Sequence, residues 1–213
     1  MNFRPPYILS TAYFAPVQYF SRIVSSGRVV IEQFDHYSKQ TYRNRCVLMG
    51  ANGRLLLSIP VKKNHGRKML TKDVRIDYDT NWQKIHQRGM MSAYRSSPFF
   101  EFYIDDFTWV FSKKINYLID LNNRILETLI FHLKVDTSIE LTDKFIDTDV
   151  PFDLRELISP KVPLSRDKNF NPVEYTQVFH EKHGFIQNLS ILDLLFNAGP
   201  EATGILKKSL HRD

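Results

Sequence analysis

The chain has 213 residues, of which 43% are hydrophobic, and it contains one cysteine. That length allows one domain with a substantial core, and no apolar run approaches the length of a membrane span. One cysteine excludes an internal disulfide framework and favours a reducing compartment. The opening MNFRPPYILSTAYFAP lacks a charged head followed by a long apolar core, so it is not typical of a secretory signal. We therefore expect a single cytoplasmic domain spanning residues 1–213.

Positive charge is concentrated in one part of the sequence. The net charge is +6, but residues 36–75 hold ten Lys or Arg residues and one acid, Asp73, which gives that segment +9. The rest of the chain has 19 basic and 22 acidic residues and carries −3. A local excess of this size favours anionic partners: nucleotide phosphates, phosphosugars, acidic carrier proteins or nucleic acid.

The N-terminal part alternates between strand and helix signals. Residues 7–14 (YILSTAYF) predict a strand, and Pro16 is suited to the first turn of a helix over 17–25. Residues 29–34 (VVIEQF) predict a second strand. Together with the hairpin described next, these signals predict that residues 1–78 are mainly β with one short helix.

A β-hairpin is predicted over residues 43–61. Asn52-Gly53 is the strongest short-range hairpin signal, because a two-residue type I′ turn needs positive φ at both central residues. With that pair as the loop, Ala51 lies opposite Arg54, and alternation gives the hairpin a core face and a polar face. The core face carries Cys46, Leu48, Leu55, Leu57 and Ile59, and the polar face carries Arg43, Arg45, Val47, Ser58, Pro60 and Lys62.

Arg43 and Arg45 have two interpretations. They are charges on a solvated strand face, or they form an anion clamp whose guanidinium groups match phosphate or carboxylate oxygens. In the second interpretation Lys39 contributes a third positive charge from the approach to the strand. A lysine-rich loop, KKNHGRKML, follows the hairpin and leads to a predicted short strand at 74–77.

Residues 79–135 are predicted to be helical. Asn81 is suited to cap a first helix, which Ser97-Pro98 ends. One face of that helix carries large side chains at i+4 spacing: Trp82, His86, Met90 and Tyr94. A second helix is predicted through FFEFYIDDFTWVF, and a third, strongly amphipathic one over 115–133.

Residues 136–213 are predicted to be loop-rich with a C-terminal helix. After a strand at 138–141, residues 142–174 contain four prolines and a candidate short helix at 152–158. That segment is either a mobile lid or an irregular wrap over the core. Ser190-x-x-Asp193 predicts a capping box that opens the last helix, and Gly199-Pro200 predicts its end.

These signals predict a mixed α/β (α+β) fold. A small mixed sheet, which includes the hairpin, packs against a helical subdomain at about 80–134 and the C-terminal helix.

Few residues have the spacing of a known catalytic site. His86 is either a hydrogen-bonded core residue or a general acid/base, and Cys46 is interpreted as a small core side chain. His180 and His183 have no further ligand at a metal-site spacing, so no metal is predicted. The Walker A, GxGxxG and GxSxG patterns are absent, so the cofactor, if one is used, is undetermined.

Several long stretches resemble the WbqC-like family of bacterial proteins. The resemblance covers nearly the whole chain and rests, in order, on STAYFAPVQYF, EQFDHYSKQTYRNRC, NGRLLLSIPV, NWQKIHQRGMMSAYRSSPFFEFY and NLSILDLLFNAGPE. It implies a role in the biosynthesis of O-antigen or other surface polysaccharides. It also implies a transferase activity, such as attaching an amino-acyl group to a sugar.

The opening motif departs from the family pattern. Many members have Gln-Pro before the first Tyr and Gly before the second, where this chain has Thr11-Ala12 before Tyr13 and Gln18 before Tyr19. The opening also resembles the strand–loop–helix start of nucleotidyltransferases. Neither histidine of their HxGH motif is present, so adenylyl or cytidylyl transfer is not expected.

Residues and resemblance together predict a transferase that acts on an activated, phosphate-bearing or carrier-linked intermediate. The residues expected to bind the substrate are Lys39, Arg43, Arg45, Tyr13, Tyr94 and Asn188, with His86 as the acid/base. The alternative is a non-enzymatic binding module that recruits a carrier protein or nucleic acid through the same basic face. The sequence leaves the oligomeric state open.

Overall fold

The structure is a computed structural model that describes residues 6–62, 68–148, 150 and 152–211. Its helices and strands confirm the mixed α/β class. The strands divide into two sheets, so the hairpin does not share a sheet with the other strands. Part of the predicted lysine-rich loop, residues 63–67, lies outside the described residues.

Three parallel strands form the first sheet, in the order β1 (Tyr7–Ser10), β2 (Arg28–Glu32) and β5 (Ser138–Leu141). The VVI run of β2 is buried, as expected for the central strand of a parallel sheet. On the other side of β1, Ile8 forms a parallel bridge with Asp153. The spatial order is therefore the Asp153 segment, β1, β2 and β5.

The predicted first strand is four residues too long. The chain leaves the sheet after Ser10, and Phe14 adopts a positive φ of 40°, which an extended strand cannot contain. Helix α1 (Val17–Ser25) has the predicted bounds. The predicted strand at 74–77 is replaced by a 3₁₀ turn at Thr71–Asp73 and isolated bridges, including one that joins Val61 and Ile76.

The hairpin consists of β3 (Arg45–Gly50) and β4 (Gly53–Ser58). Its predicted faces are confirmed for Cys46, Leu48, Leu57 and Ile59, all of which are buried. Its predicted register is wrong by two residues, because Gly50 rather than Ala51 begins the turn and pairs with Gly53.

The turn chemistry explains the slip in register. Of the turn residues, Gly53 alone has a positive φ, 97°, so Ala51-Asn52 forms the loop and Gly53 begins the returning strand. A shift of two residues returns every side chain to its original face, and the core pattern is therefore insensitive to it.

The helical part contains one long helix at each end and broken helices between them. Helix α2 (Trp82–Tyr94) packs on the hairpin at Gly89, where an added Cβ would lie 3.3 Å from Leu55 Cδ2. The predicted second helix is split by a 3₁₀ turn at Ile104–Phe107 into two short helices, and the third begins three residues later than predicted. These three are α3 (Phe100–Tyr103), α4 (Thr108–Ser112) and α5 (Leu118–Leu133).

The C-terminal part is mostly irregular until residue 190. The candidate helix at 152–158 is wrong: that segment forms turns, with Leu154 and Ile158 buried against the body. A 3₁₀ turn occurs at Leu164–Arg166. Three helices follow it: α6 (His180–His183), α7 (Ile191–Ala198) and α8 (Ala202–Lys208).

The ends of α7 match the sequence signals in part. Ser190 caps the helix, since its hydroxyl accepts a hydrogen bond from the Leu192 N–H. Asp193 does not complete a capping box and binds core side chains instead. Gly199 ends the helix with a positive φ of 52°, as predicted, and a further 3₁₀ turn at Gly199–Glu201 leads into α8, which the sequence signals did not predict.

Candidate functional site: a groove beside the hairpin

A groove of about 600 Å³ lies between β4, the segment that leads into β3, and the start of α2. We call it the hairpin groove. Three of the predicted site residues line it together: Lys39, Arg45 and His86. Its other walls include the apolar side chains Tyr37, Leu56, Pro60, Val61, Trp82 and Ile85.

Lys39 and Arg45 are the positive charges of the groove. Lys39 is exposed and Arg45 is half-buried. Among the residues that the structure describes, no carboxylate lies within ion-pair distance of either side chain. The Arg45 Nε is buried without a hydrogen-bond partner in the same part of the chain. Both cations are therefore available to an anion that enters the groove.

His86 forms part of the floor of the groove and is only 2% exposed. Burial lowers its pKa to about 4, and a hydrogen bond with the Ser58 backbone partly offsets this effect. The Tyr13 hydroxyl lies 3.0 Å from His86 Nδ1. The imidazole is thus neutral at pH 7, and a neutral ring can accept a proton but cannot donate one as an imidazolium acid.

Arg43 does not line the groove, and it does not lie on a solvated face. It is 5% exposed and forms an ion pair with Asp35. The other oxygen of Asp35 accepts a hydrogen bond of 2.5 Å from the Thr71 hydroxyl. We call Asp35, Thr41, Arg43 and Thr71 the Asp35 cluster. This buried cluster joins the arm that leads into β3 to the 3₁₀ turn after β4.

The two predicted tyrosines are buried behind the groove. Tyr13 supports His86 from the core side, and burial raises its pKa well above the usual value. The Tyr94 hydroxyl accepts a hydrogen bond of 2.9 Å from the Met49 N–H and donates one of 2.8 Å to Asp193. Neither tyrosine lines the groove.

Asn188 does not line the groove and instead caps the start of α1. Its side-chain oxygen accepts a hydrogen bond of 2.9 Å from the Gln18 N–H, and the Leu189 carbonyl accepts one from the Val17 N–H. These acceptors satisfy two of the four N–H groups that a helix start leaves unpaired. Asn188 tolerates the positive φ of 56° that this arrangement requires.

Asp193 is at the centre of a second buried polar cluster, formed with Tyr94, Tyr175 and Gln177. Its carboxylate accepts hydrogen bonds from all three, at 2.6 to 2.8 Å. Burial raises the Asp193 pKa, and the hydrogen bonds from Tyr175, Tyr94 and Gln177 oppose that shift. Because every oxygen is partnered, we assign this cluster to the packing of α7 against α2 and β3.

The family comparison agrees with the sequence motifs. The model of the WbqC-like protein family matches residues 11–157 and 166–205. The chain belongs to the WbqC-like protein family. No curated protein and no solved structure matches the chain.

The matched stretches of this WbqC-like chain contain all seven predicted site residues. The structure brings three of them together in the hairpin groove, and it puts Tyr13 and Tyr94 in the core, Arg43 in the Asp35 cluster and Asn188 at the start of α1. What the sequence signals missed is the apolar wall: Ile85 is 61% exposed and Leu56 51%. Their unusual exposure becomes visible only once the register and the helix rotation are known.

Two features are absent from the described residues of this WbqC-like chain: a group of metal-binding side chains and a helix that could span a membrane. Within the described ranges, no three His, Cys, Asp or Glu side chains are grouped closely enough to hold a metal ion. Over the same residues, no helix has the length and apolar character that crossing a bilayer demands.

Proposed function

We propose that this WbqC-like protein is a transferase that acts on an activated, phosphate-bearing intermediate of surface-polysaccharide biosynthesis of the O-antigen type. Acyl or amino-acyl transfer to a sugar is the proposed reaction, and the cytoplasm is the proposed compartment. One observation carries the proposal: two positive charges and a neutral histidine line one groove, and no carboxylate of the described residues pairs with either charge. Family membership supports the polysaccharide context.

Lys39 and Arg45 would bind the phosphate of the intermediate. A guanidinium group matches two oxygens of a phosphate at once, whereas an ammonium group acts as a flexible point charge. The +9 segment that contains both residues raises the local concentration of anions around the groove.

The apolar wall would hold the non-polar part of the same molecule. Trp82, Leu56 and Ile85 line the groove together with Lys39 and Arg45. Ligand sites are typically apolar with a few convergent polar groups, and this combination suits an amphiphile such as a phosphate linked to an acyl chain or to a carrier.

His86 would act as a base in its neutral form. An anion bound beside it would raise its pKa from about 4 toward the range in which proton transfer is efficient. The hydrogen bond with Tyr13 fixes the orientation of the ring. Tyr13 would therefore be a positioning residue, and His86 would contact the substrate by exchanging its hydrogen bond with the Ser58 backbone for one with the substrate.

Direct binding tests the proposal. Thermal shifts and calorimetry against a panel of nucleotide sugars, phosphosugars and acyl donors should identify a ligand whose affinity falls at least tenfold in the double variant Lys39→Ala/Arg45→Ala. Lys84→Ala/Arg88→Ala is a matched control, because it removes two exposed positive charges from α2 outside the groove. Equal affinities in both double variants for every ligand bound would contradict the proposal.

The open form of the groove favours a second candidate, a binding module without enzymatic activity. No described residue of 142–174 lines the groove, so no part of that segment that the structure describes closes over it. A module of this kind would recruit an acidic carrier protein or nucleic acid. Affinity for nucleic acid that falls steeply with salt, without turnover of any activated sugar or acyl donor, would favour the module.

A further inference from the structure

A second, smaller cavity of about 80 Å³ lies at the carboxyl end of β1, separate from the hairpin groove. One wall is formed by Leu9 to Ala12, at the end of β1, and another by residues 154–161. The segment 37–45 contributes residues to both cavities, which therefore share it as a wall: residues 37, 39, 40, 44 and 45 line the hairpin groove, and residues 38 and 41–43 line the smaller cavity. We call the smaller cavity the β1 crevice.

The topology of the sheet points to this crevice. From β1 the chain continues to β2 and then to β5 on one side, and it returns to the other side of β1 at Asp153. The direction of strand progression therefore reverses between β1 and the Asp153 segment. In open parallel sheets, ligands bind outside the carboxyl ends of the strands at such a point of reversal. The β1 crevice occupies that place.

Three buried donors in the lining of the crevice have no hydrogen-bond partner within the described residues. They are the hydroxyls of Ser10 and Thr11 and the Nε–H of Arg43. Thr11 is 2% exposed and Arg43 is 5% exposed. A buried polar group without a partner is costly, and its presence in a native structure calls for a water, an ion or a ligand.

Four charged residues line the crevice, and three of them, Arg43, Arg155 and Lys161, are positive. Arg43 is neutralised by Asp35, and Arg155 by Asp153 and Glu32. Lys161 forms no ion pair within the described part of the chain, and its ammonium group donates a hydrogen bond to the Lys39 carbonyl. Lys161 is thus a positive charge available at the mouth, opposed there by the exposed carboxylate of Glu156.

We propose that the β1 crevice binds an oxyanion: the phosphoryl or carboxylate group of a ligand. The hydroxyls of Ser10 and Thr11 and the Arg43 Nε would donate hydrogen bonds to its oxygens, and Lys161 would balance its charge. A cavity of about 80 Å³ has room for about two or three waters, at roughly 30 Å³ each, which suits one such group. This inference stands independently of the transferase proposal, because it uses a different cavity and different residues.

Thr11→Val distinguishes a hydroxyl that binds a ligand from one that stabilises the fold. The substitution keeps the shape of the side chain and removes the unpartnered hydroxyl. A hydroxyl that serves the fold would lower the melting temperature when removed. A hydroxyl kept for a ligand leaves the melting temperature unchanged or raises it, while the affinity for the oxyanion falls about tenfold.

The probes are inorganic phosphate and acetate, titrated into the full chain at low ionic strength and followed by NMR and calorimetry. We expect saturable binding of at least one probe, weakened about tenfold by Thr11→Val and by Lys161→Met. Lys168→Met, which removes an exposed lysine outside the crevice, should leave the affinity unchanged. Glu156→Gln should strengthen binding about two- to threefold, because it removes the opposing charge at the mouth.

Two results would overturn the inference. One is the absence of saturable binding of both probes to the unmodified protein. The other is binding that Lys39→Ala/Arg45→Ala abolishes and Thr11→Val leaves intact, because the anion would then belong to the hairpin groove. Stronger binding of phosphate than of acetate would identify a phosphoryl group as the ligand class, and the reverse order a carboxylate.

Discussion

Arg43 and Arg45 are separated by one residue, yet their surroundings are opposite. Arg43 belongs to the Asp35 cluster, where a carboxylate and two threonine hydroxyls partner its charge and that of Asp35. Arg45 faces the hairpin groove, in which the structure describes no carboxylate partner for it. The charge of Arg43 is thus balanced by a buried carboxylate, whereas the charge of Arg45 is available to an anion in the hairpin groove.

The difference between these regions lies in whether a carboxylate balances the positive charge. A cation with a buried carboxylate partner contributes to stability, and removing it leaves an uncompensated charge. A cation that lines a groove without a partner contributes little to stability and much to the binding of anions. Four predictions test this contrast, from the largest expected effect on the free energy of unfolding to the smallest.

Arg43→Met should lower the free energy of unfolding by about 3–5 kcal/mol, because it leaves the buried Asp35 carboxylate without its counter-charge. Denaturant unfolding followed by fluorescence measures the change. Asp35→Asn combined with Arg43→Met should recover part of the loss, since no buried charge then remains unpaired. A loss below about 1 kcal/mol for Arg43→Met alone would mean that the Asp35 cluster is solvated.

His86 should make the protein less stable in mild acid. Its pKa is about 4 in the folded state and about 6.5 when unfolded, so the unfolded chain binds the extra proton first. The stability that His86 contributes is therefore fully present above pH 6.5 and is lost as the pH falls toward 4, by about 3 kcal/mol in total.

The measurement is the difference in unfolding free energy between the unmodified protein and His86→Gln at pH 7, 5.5 and 4.5. Glutamine can still hydrogen-bond with Tyr13 and has no proton to gain in this range. The acid-dependent loss should be smaller in the variant. Identical pH profiles would show that His86 titrates with an ordinary pKa.

Thr71→Val should lower the free energy of unfolding by about 1.5–3 kcal/mol. It keeps the volume of the side chain and removes the short hydrogen bond to the ionised Asp35. Thr80→Val is the matched control, because Thr80 is exposed at the rim of the hairpin groove. Comparable losses in both variants would show that the loss comes from replacing threonine by valine in general and not from the hydrogen bond to Asp35.

Arg45→Met should change the free energy of unfolding by about 0.5 kcal/mol or less, because it keeps most of the apolar stem and removes a charge without a partner. The same substitution at Arg43 is its direct comparison. The affinity for an anion in the groove should show the reverse order: Arg45→Met should weaken it, and Arg43→Met should leave it unchanged under conditions in which that variant is folded. A large stability loss at Arg45 would remove the distinction between the two regions.

Local signals in the sequence predicted much of the fold. Helix α1 has the predicted bounds, because Pro16 defines its first turn, and the strand β5 was predicted residue for residue. The core face of the hairpin was also correct for Cys46, Leu48, Leu57 and Ile59, whereas Arg43, predicted on the polar face, is buried. The register of the hairpin was not correct, since the loop is Ala51-Asn52 in place of Asn52-Gly53, and Gly53 has its positive φ as the first residue of β4.

The site was less predictable, because partners distant in sequence decide it. Nothing near Arg43 in the sequence shows that Asp35 neutralises it and that Thr71 completes the cluster. Tyr94 was predicted to bind a ligand, and its partner is instead Asp193, 99 residues away. Lys39, Arg45 and His86 converge on one groove because the hairpin and α2 pack together, and the spacing of these residues does not encode that contact.

Because the loop at Asn188 caps α1, this N-terminal helix completes its hydrogen bonds late during synthesis of the chain. Gln18 and Asn188 are 170 residues apart, and Ser190 binds the Phe14 carbonyl across a similar interval. During synthesis on a ribosome, the start of α1 therefore lacks these hydrogen-bond partners until residues 188–190 have been made. A product released early, before residue 188, would expose the unpaired N–H groups of α1 to chaperones and proteases.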